Sequence, residues 1–125
     1  HKGKYKIMKQ PSQRQQRVAE QIKWVISTVL HRGHFHDPIL VDHAANVTVN
    51  DVDVSPDLKN AKIYVMSLNR EGLDDILPAL NGNAHYFQKE INHQLNIKFT
   101  PRVKFFEDES FAEAQRIEEL LNAIK

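Results

Sequence analysis

The segment Asn46–Leu68, NVTVNDVDVSPDLKNAKIYVMSL, decides the fold of this chain. Its residues alternate apolar and polar, the period of a strand with one face buried. Val47 and Val49 share a face; the phase then slips by one, so that Val52 and Val54 continue it. Such a slip predicts a β-bulge near Asn50–Asp51. Ser55-Pro56-Asp57 supplies a turn, because Pro presets φ and Asp hydrogen-bonds its own backbone. On the return, Ala61, Ile63 and Val65 fall on one face, and Lys62, Tyr64 and Met66 on the other. The segment reads as a β-hairpin with one face turned to a core.

Upstream, Ser12 and Gln15 form a capping-box pattern, and Val18, Ile22, Val25, Ile26 and Val29 recur at helical spacing. They predict a helix from about Ser12 to Arg32, stopped by Gly33. Residues 33–45 are expected to be a connector around Pro38, with a short extended piece at Ile39–Val41. Downstream, Leu73, Leu77, Leu80, Ala84, Phe87, Ile91 and Leu95 make one helical stripe, which Asn81-Gly82-Asn83 interrupts with weak helix formers. An unbroken stripe over a weak backbone predicts two helices on the same core with a kink between them. Asp74 or Asp75 is expected to cap the first, leaving Pro78 near its first turn. After Thr100-Pro101, Val103 and Phe105 alternate with Arg102, Lys104 and Phe106 as a third strand. Ser110 with Glu113 repeats the capping box and opens a last amphipathic helix through Ile117, Leu120, Leu121 and Ile124. The order is α-β-β-α-kink-α-β plus a C-terminal helix: an α+β fold, with a three-stranded sheet and its helices on one face.

The chain's 125 residues bound one domain. Residues 1–11 are expected to be a disordered basic arm, and 12–125 the domain, with its C-terminal helix from about 110. The absence of cysteine excludes disulfides and thiolate metal sites and fits a reducing compartment. No apolar run approaches the roughly 20 residues of a membrane span. HKGKYKIMKQ lacks the apolar core of a signal peptide, so a cytoplasmic location is expected. With no initiator Met, the chain is expected to be trimmed or to begin inside a longer protein. The net charge of +1 hides an asymmetry. His1 to His36 hold eight Lys and Arg against Glu20, while residues 107–125 hold six acids against Arg116 and Lys125. Such asymmetry points to a polyanionic partner met by the N-terminal half, although a short Lys run alone is equally well a solvated tail.

No catalytic constellation emerges. Ser55 precedes Pro in a tight turn, outside any G-x-S-x-G. The glycines at 3, 33, 72 and 82 are too scattered to cradle a phosphate. Asp51, Asp53 and Asp57 lack the Gly and Glu of a calcium loop. His31, His34 and His36 cluster beside Asp37 but have neither thiols nor an H-E-x-x-H frame, and a helix C-terminus explains His31. The residues argue against an enzyme, and no metal or cofactor is expected. Nucleic-acid chemistry has more support. Arg17 and Trp24 share one flank of the first helix, where Arg would contact phosphate and Trp would stack on a splayed base. The favoured alternative has Trp24 covering the core's edge under the stem of Arg17. Lys62, Tyr64, Lys104 and Phe106 lie on the outer strand faces, which would bind RNA if open or sit under the last helix if covered.

The literal strings reach further. R-V-A-E-Q-I at Arg17–Ile22, D-V-x-V-S-P-D-L at Asp51–Leu58, T-P-R-V-K-F at Thr100–Phe105, and D-E-S followed by R-I-E-E-L-L at Arg116–Leu121 together resemble the ribosome-binding factor A family. The resemblance covers about Ser12 to Leu121. It implies a type II KH-like domain and a non-catalytic assembly factor that binds the free, immature 30S subunit and its 16S rRNA. It also implies a part in late 16S rRNA maturation and in growth in the cold; a monomer is expected. KH domains proper grip nucleic acid with a Gly-x-x-Gly loop, which is absent here, and the family carries an Ala-x-Gly kink in its place. In this chain Asn83, Ala84 and His85 stand there, so Gly82 is expected to take over the backbone role at the bend. RNA contact is expected from the arm (Lys2, Lys4, Lys6, Lys9) and the first helix (Arg14, Arg17, Lys23, Trp24), not from phosphate contact at the acidic hairpin tip. The alternative of a different class is a protein–protein adaptor that docks through the acidic C-terminal helix.

Overall fold

The hairpin forms as its alternation requires. Strands β1 (Val47–Val54) and β2 (Asn60–Ser67) pair antiparallel, and the register steps from Val49↔Val65 to Asp51↔Tyr64, leaving Asn50 as the extra residue of a bulge. Without that step, Val52 and Val54 would face solvent; with it, all four valines of β1 are buried. The computed structural model describes residues 11–32 and 34–124, without the side chains of 111–115 and 124. Most of the predicted basic arm, and Gly33, lie outside them.

Helix α1 (Gln13–Arg32) starts at the predicted capping box: the Gln15 N–H donates to Ser12 Oγ at 3.1 Å, and the Ser12 N–H to Gln15 Oε1 at 2.8 Å. The connector differs from expectation. Instead of an extended piece at Ile39–Val41, residues Pro38–His43 form a short helix, α2, followed by a 3-10 turn at Ala44–Asn46. Asp37 caps it by accepting from the Ile39 N–H at 2.9 Å, and Pro38 occupies the first turn, where its missing donor does no harm. Asp-Pro was therefore a start signal, and the apolar run after it is too short to show its period.

Helix α3 (Leu73–Gly82) and helix α4 (Ala84–Gln94) meet at Asn83, whose φ of −109° and ψ of 21° leave the helical region. Gly72, with φ 71°, precedes α3, so the helix begins before either Asp74 or Asp75 could cap it and Pro78 falls past the first turn. Gly82 keeps an ordinary negative φ, so the bend does not depend on it. Asn83 makes the bend instead: its side-chain amide donates to the Ala79 carbonyl at 2.8 Å and to Asp37 Oδ2 at 3.3 Å. One side chain thus closes α3 and ties it to the cap of α2. Strand β3 (Arg102–Glu107) pairs parallel to β2, giving the sheet order β1-β2-β3.

Val47, Val49, Val52 and Val54 with Ala61, Ile63, Val65, Val103 and Phe105 form the inner sheet face, packed under Ile22, Ile26, Leu80, Phe87 and Ile91. Helix α1 lies on β1, while α3 and α4 lie on β3. This is the predicted α+β, KH-like layering, extended by α2. Helix α5 (Ser110–Ile124) follows, with Asp108 Oδ1 accepting from both the N–H and the hydroxyl of Ser110. Of its predicted apolar stripe, Ile117, Leu120 and Leu121 are exposed and do not join the core; the side chains of Ile124 and of the capping-box residue Glu113 lie outside the described ones. The inner face is already filled by α1, α3 and α4.

Candidate nucleic-acid interface

Helix α1 has two flanks of opposite character, because the strand it covers occupies one of them. Gln15 Nε2 donates to the Val54 carbonyl at 2.9 Å, and Lys23 Nζ reaches the bulge carbonyl of Asn50 at 3.5 Å. The flank facing β1 therefore carries Lys23, and the depression beside it is lined by Glu20, Asp51 and Asp53. An anion is repelled there. The other flank carries Arg14, Arg17, Gln21, Trp24, Thr28 and Arg32 within an arc of roughly 80°, at 3.6 residues per turn.

Trp24 is 60% exposed. It does not cover the core's edge, contrary to the favoured expectation, because Val18, Ile22, Val25, Ile26, Val29 and Leu30 already close the buried face of α1. The indole stands in solvent on the basic flank, with Arg14 and Arg17 exposed on the same arc. Farther along, α1 packs against α4. There burial first, and Glu90 second, raise the Tyr86 hydroxyl pKa, while the positive charge of Arg32 opposes them.

Thus the structure brings Arg14, Arg17 and Trp24 together and sets Lys23 apart on the acidic side. Lys2, Lys4, Lys6 and Lys9 lie outside the described residues. Two residues that the sequence reading passed over adjoin the basic end of the stripe. Lys98 and Phe99, in the loop between α4 and β3, face Arg14 across a groove, and Phe99 is 64% exposed. A Lys-Phe pair just before Thr100-Pro101 was the available signal, since an aromatic in a polar loop has no core to enter. On the far side of the sheet, Tyr64 and Phe106 stack with centroids 5.7 Å apart, and Lys104 Nζ lies 5.4 Å from the Phe106 centroid. Among the described residues no three His, Asp or Glu side chains converge as metal ligands, and no helix is long and apolar enough to cross a membrane.

A family model described as ribosome-binding factor A matches residues 14–121. Ribosome-binding factor A of Methylobacterium sp. strain 4-46 is 45% identical over 115 residues, 92% of this chain and 81% of that protein. The protein of the same name from Bradyrhizobium sp. strain BTAi1 is 46% identical over 110 residues, 88% of this chain and 78% of the relative. Among solved structures, the crystal structure of ribosome-binding factor A from Thermus thermophilus aligns with a TM-score of 0.61 at 20% identity, over 74% of this chain and 94% of that one. A homology model of the Thermus thermophilus factor, fitted into the cryo-EM map of a 30S complex, aligns with a TM-score of 0.52 at 18% identity, over 78% and 94%. At such identities the likeness is one of fold.

Proposed function

The chain belongs to the ribosome-binding factor A family, and from that membership we propose that it is a non-catalytic, monomeric assembly factor of the bacterial cytoplasm. It binds the free 30S subunit, contacts immature 16S rRNA and assists its late maturation, with its greatest effect in the cold. The likeness to a factor fitted into a 30S complex supports the partner. The observation that carries RNA contact is Trp24, an apolar plane held in solvent on the arginine flank of α1. Guanidinium groups neutralise phosphates and an exposed indole stacks on an unpaired base, a pairing that suits structured RNA with splayed nucleotides. The arm lysines add to the same electrostatic attraction.

Trp24 is the chain's one tryptophan, so its fluorescence reports the interface directly. Titration with purified 30S subunits is expected to quench or shift that emission. Raising salt from about 50 to 200 mM is expected to lower affinity by a factor of ten or more per few phosphates engaged. Salt-insensitive binding, or binding that survives reversal of Arg14 and Arg17 to Glu, would show that the face lies elsewhere.

A second reading is favoured by one observation. Ile117, Leu120 and Leu121 stay exposed along α5 beside Glu118 and Glu119, as a docking helix for a basic protein would. Sedimentation separates the two, because an adaptor does not travel with 30S subunits stripped of other factors.

A further inference from the structure

The groove where α1, the hairpin turn and the α4–β3 loop meet lies at the Arg14 end of the basic flank and reaches the edge of the core at Val18. It encloses about 330 Å³ between Arg14 and Val18 of α1, Asp57 of the turn, and Lys98 and Phe99 of the loop. That volume is at the low end of the roughly 300–1,000 Å³ typical of small-ligand sites, enough for one base but not for a stretch of chain. Its walls differ. Phe99 presents an aromatic ring that is 64% exposed, with Lys98 Nζ 5.6 Å from its centroid. Arg14 is exposed at the α1 end. Across from them stands Asp57, held ionised by hydrogen bonds from the Ser55 hydroxyl at 2.6 Å and the Lys59 N–H at 3.0 Å, which lower its pKa.

From this arrangement the geometry points to a pocket for a single unpaired RNA nucleotide, its base stacked on Phe99 and its phosphate between Arg14 and Lys98. The inference rests on the RNA-binding reading above and adds a second stacking position to it. Asp57 gives the pocket a direction. Its carboxylate repels phosphate but accepts from the N–H groups of a base edge, so the base enters toward the hairpin and the backbone stays on the cationic side. The acidic hairpin tip thereby orients the nucleotide without touching phosphate. The walls are preformed: the Ser55–Asp57–Lys59 bonds fix the turn, and a bond from the Thr100 hydroxyl to Asn92 Oδ1 at 3.0 Å ties the loop to α4. From Arg14 to Trp24 is ten residues of helix, about 15 Å at 1.5 Å per residue, so one bound strand can reach both aromatics.

The test compares an unstructured oligoribonucleotide with a blunt duplex of the same composition, using the full chain and the Trp24 emission. Phe99→Ala is expected to weaken single-strand binding about five- to a hundredfold, the range for losing one base stack. Duplex binding should change less than twofold. Phe99→Trp, which keeps an aromatic plane, should restore single-strand affinity; for this variant the titration is followed by anisotropy of labelled RNA. Phe99 lies in solvent, so an unchanged thermal midpoint is expected to show that Phe99→Ala remains folded. Equal losses for single strand and duplex, or no loss for either, would overturn the pocket. If Phe99→Ala has no effect while Arg17→Glu abolishes binding, the pocket falls and the α1 interface stands. If the unaltered protein binds neither RNA nor 30S subunits, both fall.

Discussion

The Asn81 side chain occupies the place of a fourth strand. On the open edge of β3 its carbonyl accepts from the Phe105 N–H at 2.8 Å and its amide donates to the Phe105 carbonyl at 3.0 Å, while Gln88 accepts from the Val103 N–H at 3.0 Å. An uncovered strand edge invites pairing with another chain, and these amides close part of it. In the sequence Asn81 stands out only as a weak helix former; its partner is 24 residues away, which no local pattern shows. Asn81→Ala leaves both groups of Phe105 unpaired and is expected to cost about 1–3 kcal/mol, measured by urea unfolding. Ser67 behaves oppositely. Its hydroxyl is buried without a partner among the described residues, so Ser67→Ala is expected to be neutral or stabilising by up to about 1 kcal/mol. A loss on that change would reveal a hidden hydrogen bond. Glu107 accepts two bonds from Arg70, at 2.7 and 2.9 Å, and these hold its pKa below the ordinary 4.5. The stabilisation is therefore full above about pH 4.5 and is lost as pH falls through the depressed folded value. Glu107→Gln is expected to flatten that part of the stability–pH profile and leave the neutral-to-alkaline part unchanged in shape.

At the scale of elements, the bend between α3 and α4 separates what a motif suggests from what the backbone does. The stripe from Leu73 to Leu95 and its weak centre were enough to place two helices on one core, because burial follows the 3.6-residue period whether or not the backbone is continuous. Which residue bends was not legible, since Asn81, Gly82 and Asn83 all weaken a helix. The choice fell on Asn83 because its amide reaches both Ala79 and Asp37, and Asp37 comes from a helix whose existence the sequence hid. Gly82 is spare: an added Cβ would meet nothing within 4 Å, and its φ is not positive. Gly82→Ala is therefore expected to stabilise the fold by about 0.4–1 kcal/mol through the unfolded chain. A bend that needed Gly82 would show the reverse in thermal denaturation. Asn83→Ala should lower stability by about 0.5–1.5 kcal/mol, the usual net worth of an intramolecular hydrogen bond.

At the scale of the whole molecule, the sheet decides which side of α1 is available. The helical wheel placed Arg17 and Trp24 together, but Lys23 belonged to the same list of cations until the fold set it against the bulge, beside Glu20, Asp51 and Asp53. Reversing Lys23 to Glu is therefore expected to weaken 30S binding by less than about threefold, and reversing Arg17 by tenfold or more, since in the proposed interface only Arg17 faces phosphate. Equal losses in co-sedimentation would mean that both flanks meet RNA. The sequence by itself determined the hairpin, its bulge, the first helix cap, the α+β order and the family, because each is written in short-range periodicity or in literal strings. Only the tertiary structure decided that Trp24 and Phe99 stand in solvent, that Asn83 makes the bend, and that Ile117, Leu120 and Leu121 of α5 stay outside the core. The bend depends on the reach of the Asn83 amide, and the exposed residues on how much apolar surface the inner sheet face can cover. Once α1, α3 and α4 fill it, Ile117, Leu120 and Leu121 of α5 have no inner face left to cover.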